Sequence, residues 1–199
     1  MIPNEAEFLG ALRKVIAVFD ALGIDYALGG SFASSLYGEA RATRDVDLIA
    51  AVTGRQAAQL VAQLGPEFYA DEAQIIAAAM NQASFNLIHR DSMSKLDVFV
   101  VWRTEFGRTQ LDRRQRTQVG GADPLQVFIA SAEDTILAKL DWYHRGGCVS
   151  DRQWRDVIGV LKVQAGRLDL AYLRDWAARL GLTNLLRRAL VNAGLPTDE

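Results

Sequence analysis

Two short runs constrain this chain more than anything else in it. Leu28-Gly29-Gly30-Ser31 is followed, after thirteen residues, by Asp45-Val46-Asp47-Leu48. Residues 25–29 read as a strand that stops at the glycine pair, and residues 31–37 fit a short helix closed by Gly38. A strand ending in Gly-Gly-Ser at a helix start offers N–H groups with no Cβ in the way, a hydroxyl and the positive end of a helix. That combination cradles phosphate. Asp45 and Asp47 open an apolar strand over 46–52. Residues i and i+2 of a strand share a side, so the two carboxylates project together with Cα atoms about 6–7 Å apart. Carboxylates at that spacing suit magnesium, which takes oxygen ligands and substrate phosphates. Taken singly, each run has a plainer meaning: a turn for the glycines, a solvated strand end for the aspartates.

The remaining pattern predicts a mixed α and β region followed by helices. Asn4 and Glu7 look like a capping box, and Phe8, Leu12, Val15, Ile16 and Phe19 recur at helical spacing until Gly23. Helices are expected over 53–64 and 71–82, and a short strand over 67–70. Strands 84–89 and 95–101 are joined by a polar turn, a hairpin by pattern. Residues 104–121 are polar and Arg-rich, read as a surface helix or loop, and 125–130 is the last apolar strand. From Ser131 onward the signal is helical, with further helices at 150–165, 169–180 and 183–192. The expected division is therefore 1–130 and 131–199, with Trp142, Trp154 and Trp176 on helical stripes as core. Asp97 is the one charge in the apolar middle of its strand. A lone buried aspartate is costly unless it is paired or metal-bound. It forms either an ion pair with Lys95 or an arginine, or a third carboxylate. If its strand lies beside 46–52, Asp45, Asp47 and Asp97 converge on a two-metal site for phosphoryl transfer.

Composition narrows the partners. Lys plus Arg is 22 and Asp plus Glu is 24, a net charge of −2. Nucleic-acid contact must come from a local patch, such as Arg108, Arg113, Arg114 and Arg116, which is equally a solvated face. One cysteine, Cys148, excludes an intrachain disulfide and a multi-cysteine metal site, and two histidines supply a zinc site poorly. No apolar run reaches the roughly 18–20 residues of a spanning helix, and no signal peptide is visible. The expectation is a cytoplasmic protein with no membrane partner.

The residues Gly29, Gly30, Ser31, Asp45, Asp47 and Asp97 make the chain resemble the nucleotidyltransferase superfamily with the DNA polymerase β-like core. The string 29–48, with its Arg41-x-Thr43-x-Asp45-x-Asp47 run, is similar to the bacterial branch related to AbiEii-type toxins. Ser-Ala-Glu-Asp-Thr-Ile-Leu-Ala-Lys-Leu (131–140) and Gln-Trp-Arg-Asp-Val (153–157) extend the resemblance. It implies an α+β fold, a mixed β-sheet core flanked by helices with an all-helical C-terminal region. It also implies metal ligation by Asp45, Asp47 and Asp97, with two Mg2+ ions and an NTP as substrate. Gly29, Gly30, Ser31, Arg41, Thr43 and Arg44 would meet the nucleotide. Lys139 and Asp156 would join the active site from the helical region. Arg41, Thr43 and Arg44 are as readily surface residues, and Lys139 and Asp156 as readily a rim salt bridge. The acceptor would be an RNA 3′ end or a protein hydroxyl, in a toxin with a cognate antitoxin protein. The alternatives are a non-catalytic, antitoxin-like nucleotide-binding module and a small-molecule adenylyltransferase of the aminoglycoside type.

Overall fold

The computed structural model describes residues 5–39, 45–121 and 123–197, and within them every side chain but those of Glu5, Ala6 and Asp45. The chain divides into two compact units. A sheet unit takes Met1–Gly29 and Thr43–Ile129, and a helical unit takes Gly30–Ala42 and Ala130–Glu199. Where the sequence suggests one division near residue 130, the helix α2 (Gly30–Tyr37) groups with the C-terminal helices.

In the sheet unit, α1 (Glu5–Ala21) buries Leu12, Val15, Ile16 and Phe19. Asn4, its expected cap, lies outside the described residues. The helix ends on Gly23 at φ +63°, with Ile24 N–H donating to Phe19 C=O and Gly23 N–H to Asp20 C=O. That pair of bonds is a Schellman stop. Seven strands follow: β1 (Tyr26–Leu28), β2 (Asp45–Ala50), β3 (Phe68–Tyr69), β4 (Ser84–His89), β5 (Ser94–Val100), β6 (Gln115–Val119) and β7 (Leu125–Ile129). Their order in the sheet is β3-β4-β5-β2-β1-β7-β6. The β2–β5 and β1–β7 pairs are parallel, and the other neighbours antiparallel.

Alternation fixes the faces. Val46, Leu48, Phe85, Leu87, Leu96 and Val98 are no more than 2% exposed, while Asp47, Asn86, Lys95 and Asp97 between them are half-buried. Between strands run a 3-10 turn, Gly54–Gln56, then α3 (Ala57–Leu64), α4 (Glu72–Asn81) and α5 (Glu105–Asp112). Helix α1 packs against β5 and β7, and α4 against β4 and β5.

The polar stretch 104–121 differs from expectation. Thr104 caps α5, its Oγ1 accepting the Gly107 N–H at 2.9 Å, and β6 then pairs along the edge with β7. An edge strand held by backbone bonds needs no apolar alternation, and β6 has none: only Val119 is buried. Its arginines are structural. Arg114 pairs with Asp25 at 2.6 Å, and the guanidinia of Arg114 and Arg116 lie 4.6 and 5.3 Å from the Phe128 ring centroid.

The helical unit joins α2 to α6 (Ala132–Arg145), α7 (Asp151–Val163), α8 (Leu170–Arg179) and α9 (Thr183–Ala193). Ser131, Ser150 and Asp169 cap α6, α7 and α8 with their side chains. Buried Asp134 accepts from Ser131 Oγ at 2.8 Å and from Tyr172 OH at 2.5 Å, tying α6 to α8. Trp176 is buried, as its stripe predicts, but Trp142 is 53% exposed, since it points away from the Ile136–Leu140 stripe of α6. Trp154 is half-buried against Tyr143, with the Arg188 guanidinium 4.0 Å from the Trp154 ring centroid. Helix α2 belongs here because Gly38 sits against α7 and Gln164 donates to Tyr37 C=O at 2.8 Å.

Two predictions follow from this packing. A Cβ on Gly38 would lie 2.9 Å from both Ser34 O and Val160 N, backbone atoms with no slack. Gly38→Ala should therefore cost about 1–3 kcal/mol, read as a lowered urea midpoint at unchanged slope. Burial, then the nearby Asp20, pushes the Tyr26 hydroxyl up to about 12. Burial, then Glu133 and Asp134, does the same to Tyr37. Both folded values lie above the unfolded one near 10, so the folded chain holds these protons more tightly. The stability they lend is complete below pH 10 and is lost as pH rises toward 12. Urea midpoints across that range should fall less steeply in Tyr26→Phe and Tyr37→Phe, and an unchanged slope would refute the assignment.

Candidate active site

One row of residues crosses four adjacent strands of the sheet unit. Asp47 on β2 stands opposite Asp97 on β5 in parallel register. Asn86 on β4 stands opposite Asp97 on its other side. At the end of β1, the Gly29 N–H donates to Asp47 C=O at 2.8 Å. The order along the row is Gly29, Asp47, Asp97, Asn86. Paired residues of neighbouring strands point to the same face, so the row lies on the half-exposed side of the sheet. A Cβ on Gly29 would meet nothing nearer than 3.9 Å, which leaves the row open above it. Gly30, the next residue, has φ +51°, a conformation glycine adopts without cost.

Asp97 is less buried than its apolar neighbours suggest, with 18% of its side chain exposed. It forms the ion pair with Lys95, whose Nζ lies 2.8 Å from Oδ1 and 3.0 Å from Oδ2. It also stands opposite Asp47 in the parallel register of β2 and β5. Lys95 is 41% exposed, and a pair this wet contributes at most about 1 kcal/mol. Asp45 begins β2 opposite Lys95, two positions before Asp47. Its side chain, and all of Arg41, Thr43 and Arg44, lie outside the described residues. Among the described residues no group of three His, Cys, Asp or Glu side chains could hold a metal. The donors in view are the carboxylates of Asp47 and Asp97, hard oxygens of the kind magnesium takes, and in that respect they fit it.

The other sequence-predicted residues lie in the helical unit. Ser31, in the first turn of α2, accepts a hydrogen bond from Arg152 Nη2 at 3.1 Å. Lys139 and Asp156 meet each other: Lys139 Nζ lies 2.8 Å from Asp156 Oδ2 and 3.1 Å from Gln153 Oε1. Only 5% and 10% of the two charged side chains are exposed, so this is a buried pair between α6 and α7, not a rim bridge. The sequence offers Arg152 as a partner for Asp156 at i, i+4. The fold gives Asp156 to Lys139 and Arg152 to Ser31. Nothing local in the sequence separates those pairings. Asn86 also escapes the sequence reading: counting back from the expected turn 90–94 sets Leu87 opposite Asp97, whereas β5 begins at Ser94, opposite His89, and the register shifts by one to bring Asn86 there.

Removing one partner from a buried pair leaves an uncompensated charge, so Lys139→Ala should cost about 3–5 kcal/mol. Lys139→Met with Asp156→Leu should recover most of that, since no charge remains buried. Chemical denaturation of the two variants checks this, and equal losses in both would refute it.

No protein-family model matches the chain. No curated protein matches it. Solved structures do. ANT(2")-Ia in complex with adenylyl-2"-tobramycin aligns with a TM-score of 0.50 at 16% identity, over 85% of this chain and 94% of that one. An antigenic nucleotidyltransferase-like protein from Paracoccidioides brasiliensis aligns at 0.48 and 21% identity, over 87% and 90%. A CCA-adding enzyme with ATP aligns at 0.39 and 11%, over 94% of this chain and 52% of that one. No helix of the described residues is long and apolar enough to cross a membrane. A mixed seven-stranded sheet flanked by helices, and the likeness to ANT(2")-Ia, give this chain the nucleotidyltransferase fold.

Proposed function

We propose that the chain is a magnesium-dependent nucleotidyltransferase that moves a nucleoside monophosphate from an NTP to an acceptor hydroxyl. The observation that carries this reading is the in-register pair Asp47 and Asp97, in one open row with Gly29, on a sheet of this fold. Magnesium bound by the carboxylates would supply positive charge against the triphosphate. Gly29 leaves room for a phosphate to approach the backbone, and the Gly30-Ser31 start of α2 is the phosphate cradle, as the motif implies. In this reading Asp97 takes the proton from the acceptor hydroxyl. The acceptor oxygen then bonds to the α-phosphorus as the bond from that phosphorus to the bridging oxygen breaks. Pyrophosphate leaves with the electron pair. Such transfer is catalysed mostly by positioning and charge neutralisation. Within the helical unit the ammonium of Lys139 is engaged by Asp156 and Gln153, and Arg152 donates to Ser31.

Two acceptor classes are supported by different observations. The resemblance of 29–48 to AbiEii-type toxins supports an RNA 3′ end or a protein hydroxyl, in a chain with a cognate antitoxin. The likeness of fold to ANT(2")-Ia, seen with adenylyl-2"-tobramycin, supports a small hydroxylated molecule.

The test is transfer of label from each α-labelled NTP, with magnesium, to total RNA, a protein extract or an aminoglycoside panel. Asp47→Asn and Asp97→Asn should each lower the rate at least about 10²-fold, by analogy with losing one preorganised electrostatic contact. Wild-type binding of NTP without transfer to any acceptor would favour the non-catalytic module instead. Transfer that survives both substitutions would overturn the assignment of the row.

A further inference from the structure

The row does not end at Asp97. With Gly29 at the phosphate end, the opposite end, on β4 and β3, is where an acceptor would approach the reacting phosphorus. We propose that this edge is the acceptor subsite, in which Asn86 holds the acceptor beside Asp97 and Tyr69 stacks on its ring. The proposal rests on the nucleotidyl-transfer reading of the row.

Register places Asn86 close to Asp97. Val100 N–H donates to Ala83 C=O at 3.0 Å, which makes 83/100, 85/98 and 87/96 the hydrogen-bonded pairs of the β4–β5 ladder. Asn86 and Asp97 then form a non-hydrogen-bonded pair, the kind whose Cα atoms approach to about 4.5 Å with side chains closest. The Asn86 carboxamide forms no hydrogen bond with any described residue. It offers a donor and an acceptor without charge, which suits a hydroxyl next to the one Asp97 deprotonates.

Tyr69 continues the same face. It stands opposite Ile88 on β4, two residues from Asn86, while Phe68 turns to the buried side with Phe85 and Leu87. Its side chain is 42% exposed, with the Arg90 guanidinium 6.0 Å from the ring centroid. An open aromatic ring beside a carboxamide recognises a planar ring that carries hydroxyls. Charge decides which kind. Lys95 stands on the same face opposite Ile88, its ammonium paired with Asp97, and Arg90 flanks Tyr69. The Arg90 guanidinium beside the ring repels a polycationic acceptor and attracts a phosphate. A terminal nucleoside of single-stranded RNA satisfies all three features, with its base on Tyr69, its sugar hydroxyls at Asn86 and its phosphate toward Arg90.

The test uses the full chain with magnesium and α-labelled NTP, and three acceptors: a short single-stranded oligoribonucleotide with a free 3′ hydroxyl, tobramycin, and a serine- and threonine-containing peptide. Label is expected on the oligoribonucleotide. Asn86→Ala and Tyr69→Ala should each raise its KM about tenfold, with little change in kcat. Tyr69→Phe keeps the ring and should restore the KM. Binding of a non-transferable α,β-methylene NTP should be unchanged in all three variants. Label on tobramycin or the peptide alone, no label on the oligoribonucleotide, or an unchanged KM in both alanine variants would each overturn the proposal. So would an equal loss of analogue binding, which would put these residues on the nucleotide. Wild-type binding of the analogue that Asp47→Asn abolishes, without label on the oligoribonucleotide, sinks the acceptor subsite and leaves the carboxylate row standing. Absence of analogue binding in the wild type sinks the function reading itself.

Discussion

The parallel pairing of β2 with β5 is the constraint on which the candidate chemistry depends. Its register is set on the buried face, where Val46 and Leu48 lie beside Leu96 and Val98. Each such side chain contributes about 1.5–3 kcal/mol when fully buried. A slip of one residue would turn Asp97 and Lys95 inward and Leu96 and Val98 outward. The apolar side of the strands thus fixes what the polar side can do. Asp47 and Asp97 share an open row because their neighbours in sequence share a closed one.

Alternation is legible in the amino-acid sequence, and so is most of the fold. Strands 84–89 and 125–130, and the helices after Ser131, stand out because each buries one face and shows it in the order of its residues. Residues 104–121 do not. The edge strand β6 is held by backbone bonds to β7 and by arginines that reach Asp25 and Phe128, contacts with no period. The carboxylates are legible because Asp-x-Asp after Gly-Gly-Ser is a local pattern. The partners of Lys139, Asp156 and Arg152 are not, because helical spacing permits several pairings and only the packing of α2, α6 and α7 selects among them.

Charge shows the same divide between composition and place. A net charge of −2 describes no part of the surface well. The arginines that read as a basic patch are partly consumed in holding the β6 edge, where cations also discourage pairing with another strand. The cations that bear on the open row are Lys95 and Arg90, which no cluster in the sequence announces.

The interleaving of the two units has a consequence for heredity as much as for folding. Each unit is written in two separated segments, with the short α2 segment cut out of the sheet unit and given to the helical one. No single crossover between genes can therefore exchange one unit whole. A chain that acquired foreign C-terminal helices would keep its own α2, and Gly38 and Tyr37 would have to find new surfaces in place of α7 and Gln164. Exchange of the helical unit whole needs a break on each side of the α2 segment as well as one before α6.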